Sequence, residues 1–495
     1  MNSTHFLSKS QFLRGLQCHK YLWLYKYRPE LRTPPDEALD ALFEAGNEIG
    51  VLAHELFPGG VLIEFEGSSF YEKAKKTGEL IESGVKTIYE ATFRYDDIIV
   101  MVDILHKGDD GWELYEVKKS TDVKDVHISD VSFQYHVVTG SGLPLAKASL
   151  VYINNKYVRQ GNIAVRELFQ ITDLTDTVVA GQDRVKDELG TMRGMLDADC
   201  PTIDIGAQCS TPYECNFINH CWAHIPENSV FDLKAKGINK FAFYKSGKIH
   251  FKDIDLNDLN LKQRMQVDAE LNGTVTIDRD GIMKFLDTLH YPLWFLDFEA
   301  LYEEAIPPFD GTRPYSKIPF QYSLHCIEKE GGELKHYEFL AEAGTDGREP
   351  LVKRLVSLIP EDACILTYNM TFEKSVIADL AEQFPEYSAK LMKIHENIKD
   401  LMVPFRQRHY YKKEMKGSYS LKYVLPALLP DLSYQGMAVS NGDEAVLAYK
   451  RLPSIEKREE AEKVKDDLLE YCKLDTLGMV KLFEKLKDTT VGVQL

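Results

Sequence analysis

Two sets of residues have spacings suited to divalent-metal chemistry, one toward each end of the 495-residue chain. In WFLDFEA, Asp297 and Glu299 are two apart on an apolar stretch, so as strand residues they share a face. In LLEYCKLDTLGMV, Tyr471 and Asp475 are four apart, so as helix residues they also share a face. Upstream, Asp103 ends the apolar run IIVMVD, and Glu116 and Lys118 lie on one face of WELYEVK. Gathered carboxylates hold hard cations such as magnesium or manganese, and a neighbouring lysine orients or deprotonates an attacking water. A phosphodiester is the substrate such a set suits. Two carboxylates buried on an apolar strand are costly without a cation.

The elements that must position these residues read as mixed α/β. Residues 7–27 and 36–57 are expected as helices, 61–66 as a strand and 70–90 as a helix. Strands follow at 93–107, 111–120 and 147–155, with a helix over 130–143 between the last two. The tight turn KGDDGW would bring Asp103 and Glu116 to one sheet edge. An amphipathic helix is expected over 176–197. A second α/β unit has strands at 293–299, 319–328, 334–340 and 363–367, and helices at 349–358, 371–383 and 458–487. The junction of the strand ILTYN with the next helix holds Asn369, Phe372 and Glu373. Three or four carboxylates converging there would bind two ions about 3.5–4 Å apart.

Composition is that of a soluble globular protein, 44% hydrophobic and 27% charged. Its length implies two or three domains. No apolar run approaches a membrane span and no secretory leader is evident, so a cytoplasmic protein without membrane partners is expected. The net charge of −18 argues against a simple basic nucleic-acid binder. It leaves room for a local basic groove, for which YYKKEMKGSYSLKY (410–423) is a candidate; a solvated loop fits that segment equally. Tyr410, Tyr411 and Tyr419 are candidates for stacking on unpaired bases.

Of eight cysteines, Cys200, Cys209, Cys215 and Cys221 crowd into one segment, which in a reducing compartment suggests metal. Cys326, Cys364 and Cys472 stand in apolar settings and are expected as plain core thiols.

In the first half, the order His54, Asp103, Glu116-x-Lys118, Gln134 resembles the PD-(D/E)xK nucleases of the RecB type, including CRISPR-associated iron–sulfur exonucleases, over residues 5–225. The resemblance implies His54, Asp103 and Glu116 as metal ligands, Lys118 as the catalytic lysine and Gln134 as a supporting residue. The family's Q-x-x-x-Y motif has Val138 here in place of tyrosine, with Tyr135 beside the glutamine. It also implies a 4Fe–4S cluster on Cys18, Cys209, Cys215 and Cys221, although C-x5-C-x5-C is wider than the family's usual C-x2-C-x5-C. The alternative is zinc on Cys200, Cys209, Cys215 and Cys221, with His220 or His224 as a substitute ligand.

The second half resembles the DEDD exonucleases of the RNase H-like fold, in their tyrosine variant, over residues 290–490. Asp297 and Glu299 match the first motif. Asn369, Phe372 and Glu373 match N-x-x-F-D, with glutamate for aspartate. Tyr471 and Asp475 match Y-x-x-x-D, and Asp400 matches a supporting acid. The resemblance implies Asp297, Glu299, Glu373 and Asp475 as ligands of two magnesium or manganese ions, with Tyr471 catalytic. The whole arrangement resembles an uncharacterised family of bacterial and archaeal proteins that fuse the two domain types. The expected organisation is thus a restriction-endonuclease-like domain over 1–225, a connector over 226–285 and an RNase H-like domain over 286–495. The expected activity is metal-dependent cleavage of single-stranded DNA or DNA ends, with 3′–5′ exonuclease action in the second domain. RNA processing and a scaffold with inactive sites are the alternatives. The sequence names no protein partner.

Overall fold

The computed structural model describes residues 6–34, 46–64, 67, 69–234 and 237–491. The chain divides into two compact units: Met1–His224 with Glu304–Tyr315, and Ile225–Glu303 with Ser316–Leu495. Both are mixed α/β. The segment 226–285 belongs to the second unit. Among the described residues, no helix is long and apolar enough to cross a membrane.

The first unit is built on a seven-stranded sheet of β1 (Leu7–Ser8), β2 (Val61–Leu62), β3 (Thr87–Tyr95), β4 (Ile98–Lys107), β5 (Trp112–Lys118), β6 (Leu145–Ile153) and β7 (Phe169–Asp173). The order is β2-β3-β4-β5-β6-β7, with β1 also paired to β4. β3, β4 and β5 run antiparallel, whereas β5 and β6 are parallel. A parallel pair needs a crossover, and the helix α2 (Asp125–Gly140) supplies it. α1 (Lys9–Gln17) follows β1 directly and stacks Phe12 on Phe133 of α2 at 4.3 Å. Alternate strand residues feed two cores: Ile88, Leu114 and Leu150 on one side, Tyr89, Tyr115 and Val151 on the other.

Several boundaries differ from expectation. The stretch read as one strand over 93–107 is a hairpin, because Asp96 and Asp97 both take left-handed φ (49° and 55°), the geometry of a tight two-residue turn. The helix from residue 70 ends at Glu82, and Gly84 (φ 84°) turns the chain into β3. The helix expected over 176–197 is two helices, Thr175–Ala180 and Gln182–Leu196, meeting at Gly181. Residues 7–27 hold two helices that break at Cys18. The helix expected over 36–57 falls outside the described residues at 35–45; residues 46–53 are helical. In the strand expected over 61–66, 65 and 66 also fall outside.

The second unit carries β8 (Thr276–Ile277), β9 (Leu293–Leu301), β10 (Ile318–Ile327), β11 (Leu334–Leu340), β12 (Cys364–Thr367), β13 (Ile398–Asp400) and β14 (Tyr410–Tyr411). Five form a sheet in the order β11-β10-β9-β12-β13, and β14 pairs with β8. β9, β10 and β11 are antiparallel, while β12 and β13 run parallel to β9. Trp294, Leu296 and Phe298 face a core that includes α3 (Thr371–Gln383). The opposite face carries α4 (Arg458–Val491), with Phe295 against Phe483 at 5.9 Å.

Candidate functional site

The face of β9 that meets α4 carries Asp297 and Glu299, because they alternate with the core residues Leu296 and Phe298. Ser323 and Gln321 of β10 stand opposite them. These two bind α4: Ser323 Oγ lies 2.6 Å from Thr476 Oγ1, and Gln321 Nε2 donates to the Leu468 carbonyl at 2.7 Å. The register so set places Tyr471, Cys472 and Asp475 against β9. Carboxylate oxygens of Asp297, Glu299 and Asp475 lie within 4.8 Å of one another, and no other such metal-ready group occurs among the described residues.

Among the described residues no lysine or arginine forms a salt bridge with these three acids, although the charge of Lys422 acts downward on Glu299 and Asp475. Burial, then the neighbouring Asp475, raises Glu299 to about 8. Burial and the charges of Asp475 and Glu299 push Asp297 well above the carboxylate range. Asp475 rises to about 6 through burial, restrained by hydrogen bonds from Tyr434 and Tyr471. Glu373, in the first turn of α3, is 2% exposed, has Oε2 without a partner and is raised by burial to about 8. It acts electrostatically on Asp297 and Glu299 but stands outside the three-acid group. Asn369 takes φ 72°, which turns β12 into α3, and its amide donates to Asp400 Oδ1 at 3.1 Å. Asp400 also accepts from the Met402 amide at 3.0 Å and Arg406 at 3.1 Å, so it braces this turn.

Two residues here were not foreseen. Tyr434 donates to Asp475 Oδ1 from a loop with no motif around it. Cys472, expected as a plain core thiol, is placed by its position on α4 with Sγ 3.5 Å from Asp297 Oδ2. Cys326 and Cys364 are buried core thiols. Tyr410 and Tyr411, considered for base stacking, are buried strand residues because β14 pairs with β8; Tyr419 is exposed.

In the first unit, Asp103, Glu116 and Lys118 do come together, in a different electrostatic setting. Glu116 is 1% exposed. Its Oε1 accepts from Lys9 at 2.7 Å and from Lys118, and its Oε2 accepts from Gln134 at 2.6 Å. Asp130 accepts from Lys118 at 2.7 Å and Gln134 at 2.9 Å. Asp103 Oδ2 accepts the Val117 amide at 2.6 Å. Burial pushes Glu116 up, but Lys118 and Lys9 outweigh it and hold the carboxyl well below its usual range. Burial and Glu116's charge drive Asp103 well above. Lys9 and Asp130 escaped sequence reading because they lie on separate helices, although the Asp130/Gln134 spacing of four was a usable signal. His54 stacks flat on Tyr89 at 3.8 Å and joins no metal-ready group with these acids. Val138 is fully buried in the core.

Cys18, Cys209, Cys215 and Cys221 line one cavity. Cys200 packs in the surrounding apolar cluster but does not line the cavity, and His220 and His224 are exposed. Gln17, at the end of α1, donates to the Gln208 and Tyr213 carbonyls at 2.7 Å each and ties the cysteine loop to this helix. Burial raises the Cys18 and Cys221 thiols, and Cys215 to about 12. Among the described residues no three cysteine sulfurs lie within 4.8 Å of one another. The thiolates of a tetrahedral zinc site are about 3.8 Å apart.

A family described as a domain of unknown function, DUF2779, matches residues 294–420. That span holds Asp297, Glu299, Glu373 and Asp400 and stops before Tyr434, Tyr471 and Asp475. The uncharacterized protein UU173 of Ureaplasma parvum serovar 3 (strain ATCC 700970) is 27% identical over 169 residues, which cover 30% of this chain and 24% of the relative. The chain thus spans about a quarter of that relative's length. No solved structure matches. The similarity to the DUF2779 family therefore lies on the strands and turn that bear Asp297, Glu299, Glu373 and Asp400.

Proposed function

We propose that the chain is a metal-dependent nuclease acting on DNA ends or single strands, with a 3′–5′ exonuclease site on β9 and α4 and a second nuclease site on β4 and β5. The observation that carries this reading is the convergence of Asp297, Glu299 and Asp475, with no salt bridge to a lysine or arginine among the described residues. Raised acids and the orphaned Glu373 oxygen fit cation binding, because gathered carboxylates without a bonded ammonium suit a hard cation. Magnesium or manganese bound there would supply an activated water and stabilise the leaving 3′-oxygen. Asp297, Glu299 and Asp475 would hold the metal, with Glu373 beside them. Tyr471, one helical turn before Asp475, presents its hydroxyl at the site to orient the water, and Tyr434 fixes the Asp475 carboxylate.

The sheet order of the second unit and its acids on β9 and α4 support an RNase H-like reading. The antiparallel β3-β4-β5, followed by α2 and parallel β6, support a PD-(D/E)xK reading of the first. There Glu90, Asp103, Glu116 and Asp130 face Lys9 and Lys118, an excess of acid that suits a cation. Lys118 would orient the attacking water. The four cysteines lining one cavity support a 4Fe–4S cluster on Cys18, Cys209, Cys215 and Cys221.

The test is cleavage of end-labelled single-stranded DNA in manganese by anaerobically purified protein, beside Asp297→Ala and Lys118→Ala. Asp297→Ala should lose 3′ trimming by roughly 10²–10³-fold. Lys118→Ala should lose only the remaining cutting. Cleavage confined to a matched RNA would change the substrate, and binding without cleavage of either would sink the enzyme reading.

A further inference from the structure

Between β9 and β10 the chain leaves the second unit. Residues Glu304–Tyr315 form a strap that belongs to the first unit. Ala305 is buried in the core made by Ile49, Tyr89, Ile104 and Val151, with Ile306 and Tyr315 packed against it. Arg159 clamps the strap: its guanidinium donates to the Pro307 carbonyl at 2.9 Å and the Pro308 carbonyl at 2.7 Å. Backbone bonds join Arg159 to Thr312 (3.0 Å) and Gly311 (2.8 Å), and the Gly161 amide donates to Asp310 at 2.8 Å. The strap is thus bonded along its length.

Its last residue points to a purpose beyond packing. Tyr315 takes φ 61°, a left-handed conformation unfavourable for an aromatic residue. Its amide is held by the Glu304 carbonyl at 2.8 Å, and its hydroxyl donates to the Lys119 carbonyl. Lys119 directly follows Lys118, whose ammonium bonds Glu116 and Asp130. β5 ends at Lys118, so the β-ladder no longer fixes the Lys119 carbonyl. Backbone strain at a defined contact is how proteins hold a functional segment in place.

We propose that Tyr315 is a positioning residue of the Asp103–Glu116–Lys118 site, delivered by a strap whose two ends are β9 and β10 of the other unit. Residues 1–224 therefore do not complete this site alone. The activity arm of the test rests on the nuclease reading of this site; the positional arm does not.

The experiment uses the full chain in an Asp297→Asn background, which silences the second unit's site. Tyr315→Phe keeps the ring and removes the hydroxyl; Arg159→Ala frees the strap by a separate route. Thermal melting checks that each variant is folded. Hydrogen exchange over residues 116–122 should rise roughly 3- to 10-fold in both variants, with the β6 peptide as unchanged control. Manganese-dependent cleavage should lose about 10-fold in kcat with KM unchanged. Unchanged exchange overturns the proposal, as does raised exchange with undiminished kcat. If the Asp297→Asn parent itself does not cleave, the nuclease reading of this site fails, and exchange alone decides whether Tyr315 positions it.

Discussion

The two acidic centres use the same residue types, and burial raises an aspartate in each, Asp103 and Asp297, yet their glutamates diverge: Glu116 is held low and Glu299 is raised. Around Glu116, Lys9 and Lys118 supply cations from within the chain, and Glu116 is held ionised despite complete burial. Around Asp297, no lysine or arginine among the described residues bonds to the acids, and Glu299 and Glu373 rise to about 8. Burial acts upward on both sets; the difference is whether an ammonium bonds the carboxylates directly, since Lys422 and Lys317 act on the second set without a salt bridge to it. A centre that lacks one is poised for an external cation, whereas one already holding two ammoniums must share its carboxylates with any ion it binds.

That contrast is sharpest in the pH dependence of stability. Glu299 and Glu373 carry raised values in the fold, so between about 4.5 and 8 the folded chain holds protons that the unfolded chain has lost. Their contribution therefore weakens as pH rises through that window, on the order of a few kcal/mol for each carboxylate. Melting of metal-free protein from pH 5 to 8.5 should show the fall. Magnesium should restore the melting temperature at pH 8, and Glu373→Gln should flatten the drop. A fall unaffected by either would place its origin elsewhere.

Tyr434→Phe sharpens the second centre alone. It removes a donor that restrains Asp475, so the acid limb of 3′ trimming should move to higher pH. Loss of such a supporting bond costs roughly 10–100-fold. Cutting by the first centre should not change, and an equal loss at both would dissolve the distinction between them.

Lys9→Met should make the first centre resemble the second. Glu116 lies below its usual range, so this pair stabilises above about pH 4.5 and fades as pH falls toward the folded value. Because the Lys9 side chain remains 27% exposed, the loss at neutral pH should be about 1–2 kcal/mol, less than for a fully buried pair. Chemical denaturation at pH 7 and pH 4 measures it, and magnesium should then recover part of the loss. No recovery would mean that Lys9 does not compete with a cation.

Within single elements, much of both centres was legible. The alternation of WFLDFEA placed Asp297 and Glu299 on one strand face, and the four-residue step placed Tyr471 and Asp475 on one helix face. Element positions in the second unit follow the reading within a few residues. The first unit was harder, since Asp96 and Asp97 look like strand interior until their left-handed turn is known. Short edge strands such as β7, β13 and β14 carry too few residues for a period to be read.

The sequence by itself determined which acids share a face and which cysteines crowd one loop, because those relations depend only on local backbone period and chain proximity. Only the tertiary structure decided that Lys9 bonds Glu116, that Tyr434 bonds Asp475 and that Tyr315 reaches Lys119. Each of those pairs is far apart in the chain, and its meeting depends on how elements pack, for which local periodicity holds no signal.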